Sequence, residues 1–246
     1  MTNADGISAA ADAFDTVQGQ YGDRPKRSLV YPSVAGAFLK GRVRRILDVG
    51  CGNGAFCRYA GLQGLTVDGA DISAALLEKA RQRDRGEGAD RNYFRLDAAN
   101  LGSSVLRDYD GICCIFSLQD MATPTEFLKA TALGARPGTL VLIVCESYFH
   151  LTCRLVPHSV ARTLEVCTGF DGARYISKAH WGKDAAGTTY CRTERSYREL
   201  VNRAGLQGGA FEYFGTTTNY LRALNVVWRG SRPFFRLACR VVQPCM

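Results

Sequence analysis

The chain has no unbroken apolar run near the roughly 20 residues that a membrane-spanning helix needs. Its longest, Thr139 to Val144, is the length of a strand. A leader peptide is not expected either: Met1 to Asp15 carries three acidic residues, no basic one and no continuous apolar stretch. No C-x-x-C pair occurs among the ten cysteines, which stand singly apart from Cys113 and Cys114. Several lie inside apolar runs, so they read as reduced, buried small hydrophobes in a cytoplasmic protein. His150 and Cys153 have a ligand-like spacing, but no second pair completes the set and no metal site is expected. No low-complexity tract interleaves aromatics with basic residues in the manner of a nucleic-acid groove, so the net charge of +8 does not by itself point to nucleic acid. The arginines are dispersed (42, 44, 45; 81, 83, 85; 192, 195, 198) and read mostly as solvated helix faces. No internal repeat is present.

What is there is an alternation of short apolar runs with helix-like stretches, the pattern of a parallel α/β sheet. Strands are expected at Arg45–Val49, Leu65–Ala70, Asn92–Leu96, Gly111–Phe116 and Thr139–Cys145, with Ala210–Phe214 and Asn225–Trp228 as the last two. Helices are expected from about Ala55, at Ala74 to about Arg83 with Ser73 as its cap, and from Pro124 to about Arg136. Another is expected at Tyr197–Ala204, opened by Ser196 and Glu199. This divides the chain into an N-terminal helical cap segment (1–40), an α/β domain (41–230) and a basic, apolar C-terminal tail (231–246). The domain carries an insertion at about 147–189. The tail is expected to pack on its own domain; Cys245 is misplaced for prenylation.

The candidate site lies where open α/β sheets bind ligands, beyond the carboxyl ends of the strands. Gly50, Gly52 and Gly54 follow the first strand and allow a tight turn with close ligand approach. Read as G-x-G-x-x-A with Ala55 last, the loop also fits a dinucleotide fingerprint. Asp71 follows about 20 residues on, placed to accept from ribose hydroxyls. Asp48 separates the alternatives. A carboxylate two residues before the first glycine would repel a pyrophosphate and favour a ligand with ammonium and sulfonium charges. Asp97, followed by Ala98, ends the third strand within reach of an adenine amino group.

Six stretches then stand in a familiar order: ILDVGCGNGAF (46–56), VDGADIS (67–73), YFRLDAANL (93–101), YDGICCIFSLQDM (109–121), LGARPGTLVLIV (133–144) and SYRELVNRAGL (196–206). They resemble class I S-adenosylmethionine-dependent methyltransferases over about residues 40–230. The resemblance implies a Rossmann-like α/β fold: a mostly parallel seven-stranded sheet with helices on both faces. It implies S-adenosylmethionine as cofactor and S-adenosylhomocysteine as product. Asp48, Gly50, Cys51, Gly52 and Gly54 would hold the cofactor's amino-acid end. Asp71 and Ile72 would hold the ribose, and Asp97 with Ala98 the adenine. Phe116 and Ser117 would border both cofactor and substrate. Thr139 stands where many relatives have a second glycine, which bears on a turn and not on the chemistry.

The acceptor is expected to be a small molecule of specialised metabolism, methylated on oxygen, nitrogen or carbon. FSLQD (116–120) replaces the proline-rich motif of adenine and glutamine methyltransferases, and an aromatic insertion suits an apolar acceptor. Gln119, Asp120, Tyr21, Tyr31, His150 and Trp181 are the candidate substrate contacts. His180, beside Trp181, is the candidate general base or orienting group. RNA methylation is the alternative substrate reading. A non-catalytic adenosyl-binding module and a nicotinamide oxidoreductase are the alternatives of another class.

Overall fold

The computed structural model describes residues 30–121, 124–146, 164–165, 177–180, 188–214 and 234–242. Five parallel strands come first: β1 (Arg45–Val49), β2 (Thr66–Asp71), β3 (Tyr93–Arg95), β4 (Gly111–Ile115) and β5 (Leu140–Glu146). Helices α2 (Ala55–Gly61), α3 (Ala74–Glu87), α4 (Ser103–Leu106) and α5 (Pro124–Gly134) lie between them. Parallel neighbours need such crossovers, because a tight turn cannot return the chain to the same end of the sheet. Three short strands, β6 (Leu164–Glu165), β7 (Ser177–His180) and β8 (Thr188–Cys191), form a second, antiparallel sheet. Helix α6 (Glu194–Arg203) and strands β9 (Leu206–Phe214) and β10 (Phe234–Val241) complete the main sheet, whose order is β3-β2-β1-β4-β5-β10-β9. Among the described residues it has the expected seven strands, parallel except that β10 runs against both β5 and β9.

Alternate residues feed two cores, because strand side chains alternate between faces. Leu47, Val49, Ile112, Cys114, Val141, Ile143 and Cys145 meet Phe127 and Leu128 of α5 and Tyr197 and Val201 of α6. Ile46, Val67, Cys113, Leu142 and Val144 meet α2, α3 and helix α1 (Val30–Lys40). Burial on both faces explains why β4 and β5 read as unbroken apolar runs. Cys51, Cys57, Cys113, Cys114, Cys145 and Cys239 are free and buried. Gly111 of β4 is held by sterics: a Cβ there would lie 2.5 Å from Val43 Cγ1 and 2.8 Å from the Phe38 ring. Gly111→Ala is therefore expected to lower stability by about 1–3 kcal/mol through overpacking, read as a lower urea midpoint with unchanged slope.

Several boundaries differ from the sequence reading. Residues 234–241, read as tail, form β10, inserted between β5 and β9. Its buried Leu237, Cys239 and Val241 alternate with the arginines that made it look like a surface segment. The strand expected at Asn225–Trp228 lies outside the described residues. Of the cap segment, only the end is described. There, Val30, Val34, Ala35 and Phe38 of α1 are buried in the second core, so α1 belongs to the domain. Helix α3 runs on to Glu87, where Gly88 caps it in the left-handed conformation. Helix α6 begins three residues early, because Thr193 and not Ser196 is its cap: the Thr193 side chain accepts from the Ser196 N–H at 3.2 Å. Among the described residues no helix is long and apolar enough to cross a membrane.

Candidate functional site

The strand order reverses between β1 and β4, and the loops after these two strands meet there. After β1, Gly50, Gly52 and Gly54 all take positive φ (+76°, +54° and +73°), which only glycine adopts without strain. Two of them are also demanded by packing. A Cβ at Gly50 would lie 2.2 Å from Ser117 Cβ, and one at Gly54 would lie 2.5 Å from the Tyr93 hydroxyl oxygen. At Gly52 a Cβ would meet nothing within 4 Å, so the middle of the loop borders open space.

Asp71, nearly buried at the end of β2, is tied to that loop. Its Oδ2 accepts from the Gly52 N–H at 2.7 Å and its Oδ1 from the Ser73 N–H at 2.9 Å. A carboxylate offers about four acceptor sites, so bracing the loop does not by itself exhaust it. Asp48 is buried in β1, where the thiols of Cys113 (3.4 Å) and Cys57 (3.7 Å) donate to its oxygens. Burial, and secondarily the charge of Asp71, push its carboxyl up to about 7 against the opposing pull of the thiols. Burial also holds the Cys51 and Cys113 thiols well above their usual range, which keeps them neutral.

Half-buried Asp97 follows β3 and opens a short 3₁₀ turn over Ala98–Asn100, with its carbonyl accepting from the Asn100 N–H at 2.9 Å. Ile72 is half-buried beside Asp71. After β4, Phe116 takes φ +60°, an uncommon value for a bulky side chain. Ser117 pins the two loops together: its hydroxyl donates to the Val49 carbonyl at 2.7 Å and lies 3.0 Å from the Cys114 sulfur. A 3₁₀ turn over Leu118–Asp120 follows, with Gln119 buried and Asp120 half-buried.

The structure thus brings Asp48, Gly50, Cys51, Gly52, Gly54, Asp71, Ile72, Phe116 and Ser117 to the carboxyl ends of β1, β2 and β4. Asp97 and Ala98 follow the neighbouring β3, with Gln119 and Asp120 just beyond Ser117. Tyr31 is half-buried on α1. Its ring packs on α2, 5.6 Å from Phe56 and 5.9 Å from Tyr59, because α1 crosses that helix. Tyr21, His150 and Trp181 lie outside the described residues. His180 ends β7 opposite Thr188; its side chain is not among those described.

Sequence reasoning missed Arg192, which is buried and not on a solvated face. Nothing in the sequence separates it from Arg195 and Arg198, since its burial depends on carbonyls more than 70 positions away. It also missed Cys57 and Cys113 as the partners of Asp48. Among the described residues no group of three or more His, Cys, Asp or Glu side chains is arranged to hold a metal ion.

The arrangement fits a cationic ligand that carries a vicinal diol. The buried Asp71 braces the loop, the buried Asp48 lies in the strand that leads into it, and Gly52 leaves space over it. A pyrophosphate would meet the charges of Asp48 and Asp71 instead of cationic partners.

Residues 47–141 match the model of a methyltransferase domain family. Ubiquinone biosynthesis O-methyltransferase of Saccharophagus degradans is 30% identical over 95 residues, 39% of this chain and 40% of that protein. Its counterpart from Aeromonas salmonicida is 32% identical over 100 residues, 41% of this chain and 42% of that protein. The match thus spans about 40% of the length of these curated relatives.

Among solved structures, one similar fold is a 1,6-didemethyltoxoflavin-N1-methyltransferase of Burkholderia thailandensis, with bound 1,6-didemethyltoxoflavin and S-adenosylhomocysteine. It covers 99% of this chain and 92% of that one, with TM-score 0.68 and 15% identity. Another is the magnesium protoporphyrin IX methyltransferase of Synechocystis with bound S-adenosylmethionine, covering 97% of this chain and 99% of that one, with TM-score 0.60 and 16% identity. At these identities the likeness speaks for the fold. Residues 47–141 thus resemble a methyltransferase domain in sequence, in the order of their motifs and in the geometry of the glycine loop, and the fold around them is that of S-adenosylmethionine-dependent methyltransferases.

Proposed function

We propose that the protein transfers the methyl group of S-adenosylmethionine to a nucleophilic oxygen, nitrogen or carbon of a small molecule. The observation that carries this reading is the brace between Asp71 and Gly52 beside the open middle of the glycine loop. When bound, the cofactor supplies an already activated methyl group on a sulfonium. The chain's own task is to bind, orient and exclude water. Asp48 and the loop Gly50–Gly54, with Cys51, hold the ammonium end. Asp71, with Ile72, accepts from the ribose hydroxyls. Asp97 and Ala98 border the base, and Phe116 and Ser117 separate cofactor from acceptor. Gln119 and Asp120 orient the acceptor, and His180 is the proposed proton acceptor where the nucleophile must lose one.

The small-molecule reading is supported by FSLQD after β4 and by the acceptors named for similar folds, 1,6-didemethyltoxoflavin and magnesium protoporphyrin IX. A cytoplasmic setting is supported by the six buried free thiols, since reducing compartments keep cysteines unpaired. The test uses methyl-labelled S-adenosylmethionine with a panel of phenols, amines and cell-extract metabolites, beside total RNA. Label in an organic or small-molecule fraction is expected. Label confined to RNA, or label nowhere despite cofactor binding, would overturn the reading in favour of an RNA enzyme or a binding module.

A further inference from the structure

Arg192 links the second sheet to the loop after β4. It follows β8 directly and is almost completely buried. Its Nη1 donates to the Leu118 carbonyl at 3.3 Å and its Nη2 to the Met121 carbonyl at 3.0 Å. Its guanidinium carbon stands 5.0 Å from the centre of the Tyr190 ring, on β8. Cys145, at the end of β5, and Tyr197, on α6, lie against the same charge. Burying a cation is costly unless its donors are used, and here they are spent on the two carbonyls that bracket the turn Leu118–Asp120. A planar fork suits that task, whereas an ammonium is a single point of charge.

The loop it grips needs an external hold. It opens on Phe116 at positive φ, a conformation that persists only where the surroundings over-determine it. Ser117 ties its first part to Val49 on one side. From the other side, the geometry points to Arg192 as the positioning residue that fixes Leu118–Met121 and transmits to it the placement of β8. Resting on the methyltransferase reading, this makes the second sheet a device that sets Gln119 and Asp120 at the acceptor side.

Amide hydrogen exchange on the whole chain tests this without a known acceptor. The Asp120 N–H donates to the Ser117 carbonyl at 3.0 Å and the Met121 N–H to the Leu118 carbonyl at 3.3 Å. In Arg192→Ala both amides are expected to exchange at least about ten-fold faster, and in Arg192→Lys by a smaller factor. Amides of β1 and β4 should keep their rates, and methylguanidinium added to the alanine variant should restore part of the protection.

Unchanged exchange at 120 and 121, or acceleration shared equally with β1 and β4, would overturn the role. If the alanine variant does not fold, the lysine variant decides by the same comparison. S-adenosylhomocysteine titrated into the wild type separates the two claims. Its failure to bind would sink the methyltransferase reading, while the exchange pattern still decides the clamp.

Discussion

Asp71→Ala is expected to weaken S-adenosylhomocysteine binding by at least about 100-fold, measured by isothermal titration. The substitution removes two things at once. It deletes the carboxylate proposed to accept from the ribose hydroxyls, and it releases the Gly52 N–H now held at 2.7 Å, so the glycine loop loses its brace. Hydrogen bonds to a charged group contribute about 1.5–3 kcal/mol each. Losing two from the ligand corresponds to roughly two to four orders of magnitude in affinity. The Ser73 N–H, which donates to Oδ1 at 2.9 Å, loses that acceptor, which adds a cost to folding of about 1–2 kcal/mol. Asp71→Asn separates the effects. It keeps one acceptor oxygen and should fall between the alanine variant and the wild type. An affinity for the alanine variant within three-fold of wild type would place the ligand elsewhere.

Asp48→Asn should move stability and binding in opposite directions. An aspartate in an unfolded chain titrates near 3.9, while burial raises the folded carboxyl to about 7. For an acid raised on folding, the native state holds the proton more tightly. Its contribution is therefore full below about pH 4 and is lost as pH rises through 7. The difference of about three in pKa corresponds to a penalty on the order of 2–4 kcal/mol at pH 8. Asparagine never carries that charge.

Asp48→Asn should accordingly be more stable than wild type at pH 8 and nearly equal to it at about pH 3.5, in urea unfolding at both pH values. The groups facing Asp48 are Cys57 from α2, Cys113 from β4 and Asp71 from β2, and none supplies a positive charge. An arriving ammonium would. Binding of S-adenosylhomocysteine to wild type should thus strengthen about ten-fold from pH 6 to pH 8, following the ionised fraction of a group titrating near 7. In Asp48→Asn the profile should be flat and the affinity lower. A flat wild-type profile, or a variant less stable at pH 8, would contradict this account.

The parts of the molecule that the sequence made legible are those dictated by local rules. Glycine spacing announced three left-handed residues, and Ser73 announced the start of α3, whose Leu76 N–H it caps at 3.1 Å. Apolar runs announced β4 and β5 because strands covered on both faces need no polar alternation. What stayed hidden depends on distant partners. The last strand was taken for a tail because Arg236 and Arg240 alternate with its buried residues. In the fold they find acceptors in Ser33, Glu212 and the Gly138 carbonyl. Arg192 looked like its exposed neighbours for the same reason. The packing of Tyr31 on Phe56 and Tyr59 likewise depends on the meeting of α1 with α2, which no local pattern reveals. The carboxylates of Asp48 and Asp71 were legible as positions, but the elevated titration of Asp48 follows from burial in β1 and the charge of Asp71, against the pull of two thiols, and no local pattern reveals these.

Calorimetric titration of the wild-type protein at pH 8 with S-adenosylhomocysteine, beside NADH, tests the central claim most directly. The account expects one-site micromolar binding of S-adenosylhomocysteine and no heat from NADH, since two buried carboxylates border the place a pyrophosphate would need. Binding of NADH without S-adenosylhomocysteine would contradict it.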